Sequence, residues 1–448
     1  MIPNIPETRL KRVVIVGAGF GGLELAQQLE GLPFQVVLID KNNYHQFQPL
    51  FYQVATAGLE PSSISFPLRR VFRDNPNFVL RITEFYEVEP ETRIIRTGLG
   101  PISYDYLVFA MGADTNYFGL KGVAENAIPM KSVSEALALR NTLLQNFEDA
   151  ITADTDDELE GLLNVVVAGG GPTGVEISGT LAEMRKTVLP KDHPEIDFGQ
   201  MHVTIVEAGP NLLGPMAPAS QQKSREFLEE MGVTVRTGTQ VKDYDGRHVT
   251  FSDGTKIRSN TLIWAAGVKA IDIKGLPAEA KGRGGRLLTD PYNRLRSHPD
   301  IYAIGDIALT TEEKYPDGHP QVAQPAIQMA RNLARNFKAM AKGKVLKPFR
   351  YKDLGSMATI GKNKAVAEIA GFKFQGFFAW AVWMFVHLIS IFGVRNRVSV
   401  FFTWAWSYIT SDQNLRLILS PKKPAKPKER TGFSFEAISK AARKAESV

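Results

Sequence analysis

The chain contains two copies of one pattern of apolar and polar positions. The first copy opens with a segment over residues 12–16 that is continuously apolar after Arg12, as expected for a parallel strand that is covered on both faces. A glycine-rich turn over 17–22 follows, and then a helical stretch and a second apolar run over 35–39 that ends on Asp40. The order of strand, turn, helix, strand and acid predicts a dinucleotide-binding Rossmann unit.

Each marked position in the first copy has a physical role. Gly17 permits the tight turn, Gly19 lets the backbone approach a pyrophosphate, and Gly22 lets the helix pack closely on the strand. The helix N-terminus offers free N–H groups and a partial positive charge to the phosphates. Asp40 lies at the strand tip with Lys41 beside it, and a carboxylate there can accept hydrogen bonds from ribose hydroxyls.

The second copy occupies the middle of the chain. An apolar strand over 164–168 leads into a turn in which Gly169, Gly171 and Gly174 fill the same three roles, and a later strand ends on Glu207. A carboxylate without an adjacent arginine repels a 2′-phosphate, which favours NADH over NADPH. Two such units imply two nucleotides. We interpret the first as the site of a fixed, non-covalent FAD and the second as the site of an exchangeable NADH.

Three short apolar segments connect these units. Residues 298–308 contain a strand that ends at a Gly-Asp turn, which closes the FAD domain in flavoproteins with two dinucleotide sites and places Asp306 against the cofactor. Residues 106–113 and 262–268 mirror each other and are interpreted as the crossings between the two domains. Each crossing contributes one expected cofactor contact, Ala113 for FAD and Gly267 for NADH.

The predicted fold is therefore α/β, with two Rossmann-like dinucleotide-binding domains and a C-terminal membrane-associating helical region. A length of 448 residues fits two or three domains. The expected limits are 1–120 and 290–345 for the FAD-binding domain, 121–289 for the NADH-binding domain, 346–420 for the membrane-anchoring region and 421–448 for a basic tail.

The composition excludes several kinds of chemistry. The chain has no cysteine, which removes disulfides, Fe–S clusters and any mechanism that uses a pair of thiols. Its seven histidines show no metal-ligand spacing, so no metal site is expected. The first residues lack the apolar core of a signal peptide, so export is not expected.

The C-terminal region is strongly apolar. Residues 377–394 carry no charge, and a second apolar segment over 398–409 is too short to return across a bilayer. This favours two helices lying in the membrane plane, with Arg395 and Arg397 at the phosphates. A true span, or burial against the protein or a dimer partner, stays open. The aromatic residues expected at the headgroups are Trp380, Trp383, Trp404 and Trp406.

The end of the chain is basic. Residues 421–448 contain eight lysines and arginines against three glutamates, and their proline-rich start is typical of a disordered linker. Such a tail is attracted to anionic lipid. Nucleic acid is the alternative partner. No nucleic-acid-binding module accompanies the tail, so nucleic acid is not expected to bind.

Four segments together resemble the type II NADH:quinone oxidoreductases over essentially the whole length of the chain. They are residues 43–55, the crossing at 264–268, the helix start at 323–328 and the Gly-Pro-Thr-Gly-Val-Glu run that ends at Glu176. The combination is specific, whereas any one segment alone is not.

The resemblance implies the positions of a quinone site. The start of the helix at Gln324, Pro325 and Gln328 matches the family motif that lines this site beside the flavin. Gln324 and Gln328 are four residues apart, so both amides lie on one helix face and can donate to a quinone carbonyl. Glu176 is expected to line the site or relay a proton, although an acid in a first helical turn also complements the helix dipole. His387 is a further expected quinone contact.

The resemblance also implies the activity. A hydride passes from NADH to FAD, and two electrons then pass to ubiquinone or menaquinone without proton pumping. The protein is expected at the cytoplasmic face of the cell membrane as a monotopic enzyme, and homodimerisation stays open. One alternative is a soluble NADH-dependent reductase of a small protein acceptor, which has no use for the aromatic C-terminal region. Another is an NADH-sensing flavoprotein that acts through binding.

Overall fold

The computed structural model describes residues 3–73, 75–412 and 415–419, so the basic tail predicted at 421–448 lies outside the described residues. The strands are β1 Lys11–Val16, β2 Phe34–Asp40, β3 Tyr44–Gln46, β4 Ser65–Pro67, β5 Phe78–Ile82, β6 Phe85–Glu89, β7 Ile94–Thr97, β8 Gly100–Ser103, β9 Tyr106–Phe109, β10 Ala113–Thr115, β11 Ile128–Pro129, β12 Val165–Ala168, β13 Val203–Glu207, β14 Thr234–Thr237, β15 Val241–Tyr244, β16 His248–Phe251, β17 Lys256–Arg258, β18 Thr261–Trp264, β19 Val268–Ala270, β20 Leu287–Leu288, β21 Ile301–Ala303, β22 Ala308–Leu309, β23 Ser356–Gly361, β24 Lys364–Ile369 and β25 Phe372–Gln375. The helices are α1 Phe20–Gln28, α2 Phe51–Ala55, α3 Leu68–Val71, α4 Lys121–Asn126, α5 Val133–Ala150, α6 Asp156–Leu163, α7 Pro172–Thr187, α8 Leu189–Asp192, α9 Pro218–Glu230, α10 Ala323–Met340, α11 Phe377–Ser390 and α12 Val394–Thr410.

A parallel sheet of five strands forms the first nucleotide unit, in the order β21-β9-β1-β2-β5. The residues of β1 from Val13 to Val16 are buried, because the sheet is covered on both faces. Strand β21, which comes from late in the chain, completes this sheet beside β9. Helices α1 and α10 pack against each other. Strands β6, β7 and β8 add a small antiparallel sheet.

A second parallel sheet repeats this plan, in the order β11-β18-β12-β13-β14. It carries its own antiparallel meander of β15, β16 and β17. The two crossings pair directly, because β10 and β19 form an antiparallel ladder that joins Ala113 to Ala270. The fold class predicted from the sequence, with two Rossmann-like units, is confirmed, and the numerical domain limits stay a prediction.

The region over 346–420 was predicted to be helical, but it also contains a β-sheet. Strands β23, β24 and β25 form an antiparallel sheet, with Ala358 and Ile360 of β23 buried toward the core. Helix α7 packs on β23 so closely that a Cβ at Gly179 would overlap the carbonyl oxygen of Ile360. This close approach fixes the C-terminal sheet against the helix that follows the second glycine-rich turn.

Helices α11 and α12 follow this sheet. The apolar segment predicted over 377–394 breaks at Ser390, and α12 begins at Val394, ahead of the second segment predicted from residue 398. Helix α11 has 14 residues and α12 has 17. No helix within the described ranges combines the length and the apolar character that crossing a bilayer requires.

The contact between α7 and β23 yields a prediction about stability. Gly179→Ala should lower the free energy of unfolding by roughly 1–3 kcal/mol, because the added methyl forces α7 away from the Ile360 carbonyl. Helix propensity by itself favours alanine over glycine by about 1 kcal/mol, so the steric effect must exceed this gain for the variant to be less stable. Chemical denaturation monitored by circular dichroism measures the difference. Gly214→Ala is the matched control, since nothing lies within 4 Å of its added Cβ. Equal stabilities of the two variants would contradict this packing.

Candidate active site

The first glycine-rich turn has the geometry of a phosphate cradle. Gly17 has φ +103°, and a Cβ there would lie 2.5 Å from the Ala110 carbonyl oxygen. A Cβ at Gly22 would overlap the carbonyl oxygen of Gly17, so only glycine allows α1 to pack this closely. Gly19 is different, because an added Cβ would meet nothing within 4 Å. Its backbone borders open space at the N-terminus of α1.

That open space is a cavity of about 480 Å³. Asp40 lies at its edge, where the Ala18 N–H donates to Oδ2 at 2.6 Å and the Asn42 N–H donates to Oδ1 at 2.7 Å. Burial raises the pKa of Asp40 above its ordinary value, and these two N–H groups partly oppose the rise. The cavity also places together the predicted FAD residues Gly17, Gly19, Asp40, Lys41, Ala113 and Asp306.

Asp306 closes the cavity from the other side. It follows β21 and Gly305, whose φ of +74° makes the turn. Burial raises the pKa of Asp306, and the positive charges of Lys131 and Arg286 partly oppose the rise. A cavity with a glycine-lined helix N-terminus at one end and carboxyl groups at its edges fits FAD, whose phosphates need the helix N–H groups and whose hydroxyls need acceptors.

The second glycine-rich turn reproduces the first. Gly169 has φ +110°, and its added Cβ would contact the Ala265 carbonyl. A Cβ at Gly174 would overlap the Gly169 carbonyl oxygen, whereas one at Gly171 would meet nothing within 4 Å. In both loops, therefore, the first glycine makes a turn with positive φ, the second borders open space, and the third allows a close contact between helix and turn.

The acid of the second copy is also held in the same way. The Gly170 N–H donates to Glu207 Oε2 at 2.6 Å, and the Gly209 N–H donates to Oε1 at 2.7 Å. Gly267 precedes β19, and its carbonyl accepts the N–H of Asn116 at 3.1 Å. These positions give the second unit the arrangement expected for a nicotinamide dinucleotide.

Glu176 is buried in α7 beneath the C-terminal sheet. Its Oε1 lies 3.5 Å from the Thr359 N–H of β23. Burial raises the pKa of Glu176 to about 8, and the Thr359 N–H and the Trp383 indole oppose part of the rise. The indole Nε1 makes no hydrogen bond of normal geometry with any described residue, so its effect on the carboxyl is a weaker electrostatic one. Glu176 lies beyond the first turn of α7, which argues against a simple helix-dipole role.

Aromatic rings connect the first cavity to the neighbourhood of Glu176. Phe20 lines the cavity and meets Phe47 with ring centroids 5.9 Å apart. Phe47 lies 6.3 Å from His387, which stacks on Trp383 at 4.0 Å. Burial lowers the pKa of His387 to about 4, so its imidazole is neutral at pH 7. The rings form an apolar path with one neutral polar side chain.

The two glutamines of α10 differ in their surroundings. Gln328 is fixed, because its Nε2 donates to the Lys352 carbonyl at 2.9 Å and its Oε1 accepts the Lys352 N–H at 3.0 Å. Gln324 is partly exposed and makes no side-chain hydrogen bond within the part of the chain that the structure describes. Pro325 is buried between them. Gln324 is therefore the available donor, and Gln328 holds the following segment in place.

The structure corrects two of the predicted membrane anchors. Trp383 and Trp404 are buried within the protein, and Trp404 Nε1 donates to Gln53 Oε1 at 2.7 Å. Both lie on the helix faces that pack inward, which a count of aromatic residues in an apolar segment does not distinguish. Trp380 is partly buried and stacks near Tyr408. Arg395, Arg397 and Trp406 are exposed.

A polar cluster that was not predicted from the sequence lies beside Glu176. Tyr52 of α2 and Glu183 of α7 line a smaller cavity together with Lys362. Glu183 follows Glu176 by seven residues, which is two helical turns and the same face of α7. That spacing was the available signal.

Comparisons with known proteins agree with this geometry. Residues 11–330 match the pyridine nucleotide-disulphide oxidoreductase family, and residues 354–411 match the NDH2 C-terminal domain. The type II NADH:quinone oxidoreductase NdhA of Mycobacterium tuberculosis is 35% identical over 415 residues, which cover 89% of this chain and 87% of the relative. The related Ndh of the same organism is 34% identical, with 91% and 90% covered.

Solved structures show the same fold. The structure of NDH2 from Plasmodium falciparum in complex with NADH has a TM-score of 0.84 at 22% identity and covers 92% of this chain and 100% of that one. The sulfide:quinone oxidoreductase of Aquifex aeolicus has a TM-score of 0.69 at 19% identity and covers 86% and 92%.

The paired nucleotide turns and the matched families define a flavoprotein oxidoreductase with two dinucleotide sites. Because the chain contains no cysteine, the disulphide chemistry in the name of that wider class is not available to it. The chain belongs to the type II NADH:quinone oxidoreductase family. The predicted enzyme class and the FAD cofactor are confirmed. NADH:quinone oxidoreductase activity is favoured over the two alternative functions, a soluble reductase and an NADH sensor.

The paired open glycines yield a matched prediction. Gly19→Val should give a folded but colourless protein, because its side chain would project into the cavity where the pyrophosphate belongs. Gly171→Val should stay yellow and instead raise the KM for NADH, because the same change is made in the second turn. Flavin absorbance after gel filtration and steady-state kinetics measure these effects. A yellow Gly19→Val protein, or flavin loss from Gly171→Val, would reverse the assignment of the two sites.

Proposed function

We propose that the protein oxidises NADH at the second nucleotide turn and reduces a membrane quinone near the start of α10, without pumping protons. The observation that carries this proposal is the buried carboxyl of Glu176, which lies between the aromatic path from the first cavity and the C-terminal helices. A raised pKa keeps this group protonated at neutral pH, so it can give a proton to a reduced quinone oxygen.

The chain supplies position and electrostatics for this reaction. Gly19, Asp40, Lys41, Ala113 and Asp306 would hold FAD in the first cavity. When bound, FAD supplies the redox chemistry, accepting a hydride equivalent from NADH and giving two electrons to a quinone.

The second turn binds the reductant. Gly171 leaves room for the pyrophosphate of NADH at the N-terminus of α7, and Glu207 accepts hydrogen bonds from the adenosine ribose. The Glu207 carboxylate repels a 2′-phosphate, so NADH is preferred over NADPH. Gly267 lies on the crossing that brings the nicotinamide end toward the first cavity.

The quinone contacts combine neutral donors with apolar walls. The Gln324 amide donates to a quinone carbonyl, while Gln328 holds the backbone at Lys352 and Pro325 packs beneath. His387 is neutral and its Nδ1–H donates to the Trp383 carbonyl at 2.8 Å, so its Nε2 can accept a hydrogen bond from a quinol hydroxyl without bringing a charge into an apolar pocket.

The outward faces of α11 and α12 bind the membrane surface. The solvent-exposed side of a helix in a soluble protein is usually polar, whereas these exposed faces are apolar. Arg395 and Arg397 are exposed beside them and can bind lipid phosphates. We place the protein on the cytoplasmic face of the cell membrane, where NADH is produced, and take a second copy of the chain as the alternative occupant. The exposed apolar residues are Phe377, Phe378, Phe385, Ile389, Val394, Val398, Phe401, Phe402, Trp406 and Ile409.

Membrane attachment is tested on this face. Replacing Phe385 and Phe402 together by glutamate should move the protein from floating vesicles to the soluble fraction, because each side chain contributes about 1.5–3 kcal/mol when buried in lipid. The unchanged protein should stay on vesicles at high salt, since apolar insertion is not screened. Val345→Glu, in the loop after α10, is the control. Flotation of the double variant, or a change in its oligomeric state instead, would contradict attachment through this face.

The proposed quinone contact is tested by separating the two half-reactions. In stopped-flow measurements, Gln324→Leu should leave flavin reduction by NADH unchanged. It should slow reoxidation by quinone about 10²-fold, the usual cost of losing one positioned donor. Gln222→Leu on α9 is the control. Equal slowing of both half-reactions would show that Gln324 serves the flavin or the nicotinamide instead.

A further inference from the structure

We propose that the small cavity between α2, α7 and the C-terminal helices is the route by which a solvent proton reaches Glu176, with Glu183 as its entry group. This inference rests on the proposed quinone reduction and adds the path of its proton. Quinol carries two electrons and two protons, whereas NADH delivers two electrons and one proton as a hydride. One proton must therefore come from water in each turnover.

The cavity has room for water, and polar groups share its wall with the aromatic and apolar side chains of Trp380, Trp383, Met384 and Trp404. Its volume is about 170 Å³, which holds several water molecules. Polar groups lie along it, from Thr359 and Tyr52 at the inner end to Lys362, Tyr408 and Ser411 near the surface. Glu176 lies behind the inner end of the cavity, because the N–H of Thr359, a lining residue, is 3.5 Å from the Glu176 carboxyl.

Glu183 stands on the cavity wall between these ends. It lies two turns beyond Glu176 on α7, so the two carboxyl groups share a helix face and are separated by about 10 Å along the axis. Thr180 lies between them on the same wall. The Lys362 N–H donates to Glu183 Oε1, which fixes the carboxyl toward the cavity. Burial raises the pKa of Glu183, so it can hold and release a proton closer to neutral pH.

Tyr52 lines the cavity and lies close enough to both acids to interact with them electrostatically. Its phenol is buried, and the negative charges of Glu176 and Glu183 add to the effect of burial in disfavouring its ionisation. The phenol oxygen accepts a hydrogen bond from Gln53 Nε2 at 2.8 Å, and Gln53 is fixed in turn by Trp404 Nε1. A hydroxyl held in this way can pass a proton from cavity water to the inner carboxylate.

The charged groups near Glu183 are bound to other residues, so they do not replace Glu183 as the proton donor. Lys362 and Lys364 attract its ionised form, and Lys364 also pairs with Glu230 of α9 at 2.7 Å. The Lys362 ammonium is bound to the Tyr408 carbonyl at 2.7 Å and to Ser411 Oγ at 3.2 Å. Among the described residues, the titratable groups that face this region from the packed elements include Tyr52, Glu176, Glu230, Lys362, Lys364 and Tyr408.

The proposed step is balanced. The O–H bond of the Glu183 carboxyl breaks, and the proton passes through cavity water and the Tyr52 phenol to the Glu176 carboxylate. Glu183 then regains a proton from bulk water. The overall reaction is NADH plus quinone plus one solvent proton, giving NAD⁺ and quinol.

The test uses Glu183→Gln in the full-length flavin-loaded protein. The glutamine carbonyl can still accept the Lys362 N–H, so the local fold is kept. Quinone reduction should fall at least roughly tenfold and show a larger solvent deuterium isotope effect, because proton delivery becomes limiting. Ferricyanide reduction, which needs no proton on the acceptor, should keep its wild-type rate. Glu183→Asp should restore most of the quinone turnover, which a purely structural role does not predict.

Two further proteins complete the test. Tyr52→Phe should show the same selective loss, and Glu226→Gln on the exposed face of α9 should behave as wild type. Wild-type quinone turnover in both Glu183→Gln and Tyr52→Phe would overturn the proton route. So would equal losses with quinone and ferricyanide. A failure of the unchanged protein to reduce quinone would instead refute the proposed function itself.

Discussion

The close contact between Gly179 of α7 and the Ile360 carbonyl of β23 is the constraint on which the site depends. Helix α7 begins at the second nucleotide turn and ends beside the C-terminal helices, so its position links that turn to the region under α11 and α12. Because the helix and strand meet at backbone distance, Glu176 lies within reach of the Thr359 N–H and out of water. A larger residue at position 179 would open this interface.

Burial then sets the electrostatics. Glu176 has a raised pKa and His387 a lowered one, so both groups are neutral at pH 7 in the region where we propose that a quinone binds. Neutral groups avoid the desolvation cost of a charge in an apolar pocket and still offer hydrogen bonds. Burial also raises the pKa of Asp40, and the N–H groups of Ala18 and Asn42, at 2.6 and 2.7 Å, oppose part of this rise.

The sequence predicted what depends on local spacing. The glycines of both turns, Asp40 and Glu207 could be assigned because their order along strand, turn and helix determines their geometry. The C-terminal sheet and the burial of Trp383 could not, because they depend on contacts with α7, far away in sequence. Glu183 was not predicted either, because its seven-residue spacing from Glu176 places both on one helix face but only the cavity shows that this face has a role.

The most direct measurement of the activity is quinol formation by the full-length protein in vesicles that contain ubiquinone or menaquinone. NADH oxidation and quinol formation should match one to one with at least one of these quinones, and no membrane potential should develop. NADH oxidation without quinol, or a membrane potential formed in step with it, would contradict a non-pumping NADH:quinone oxidoreductase.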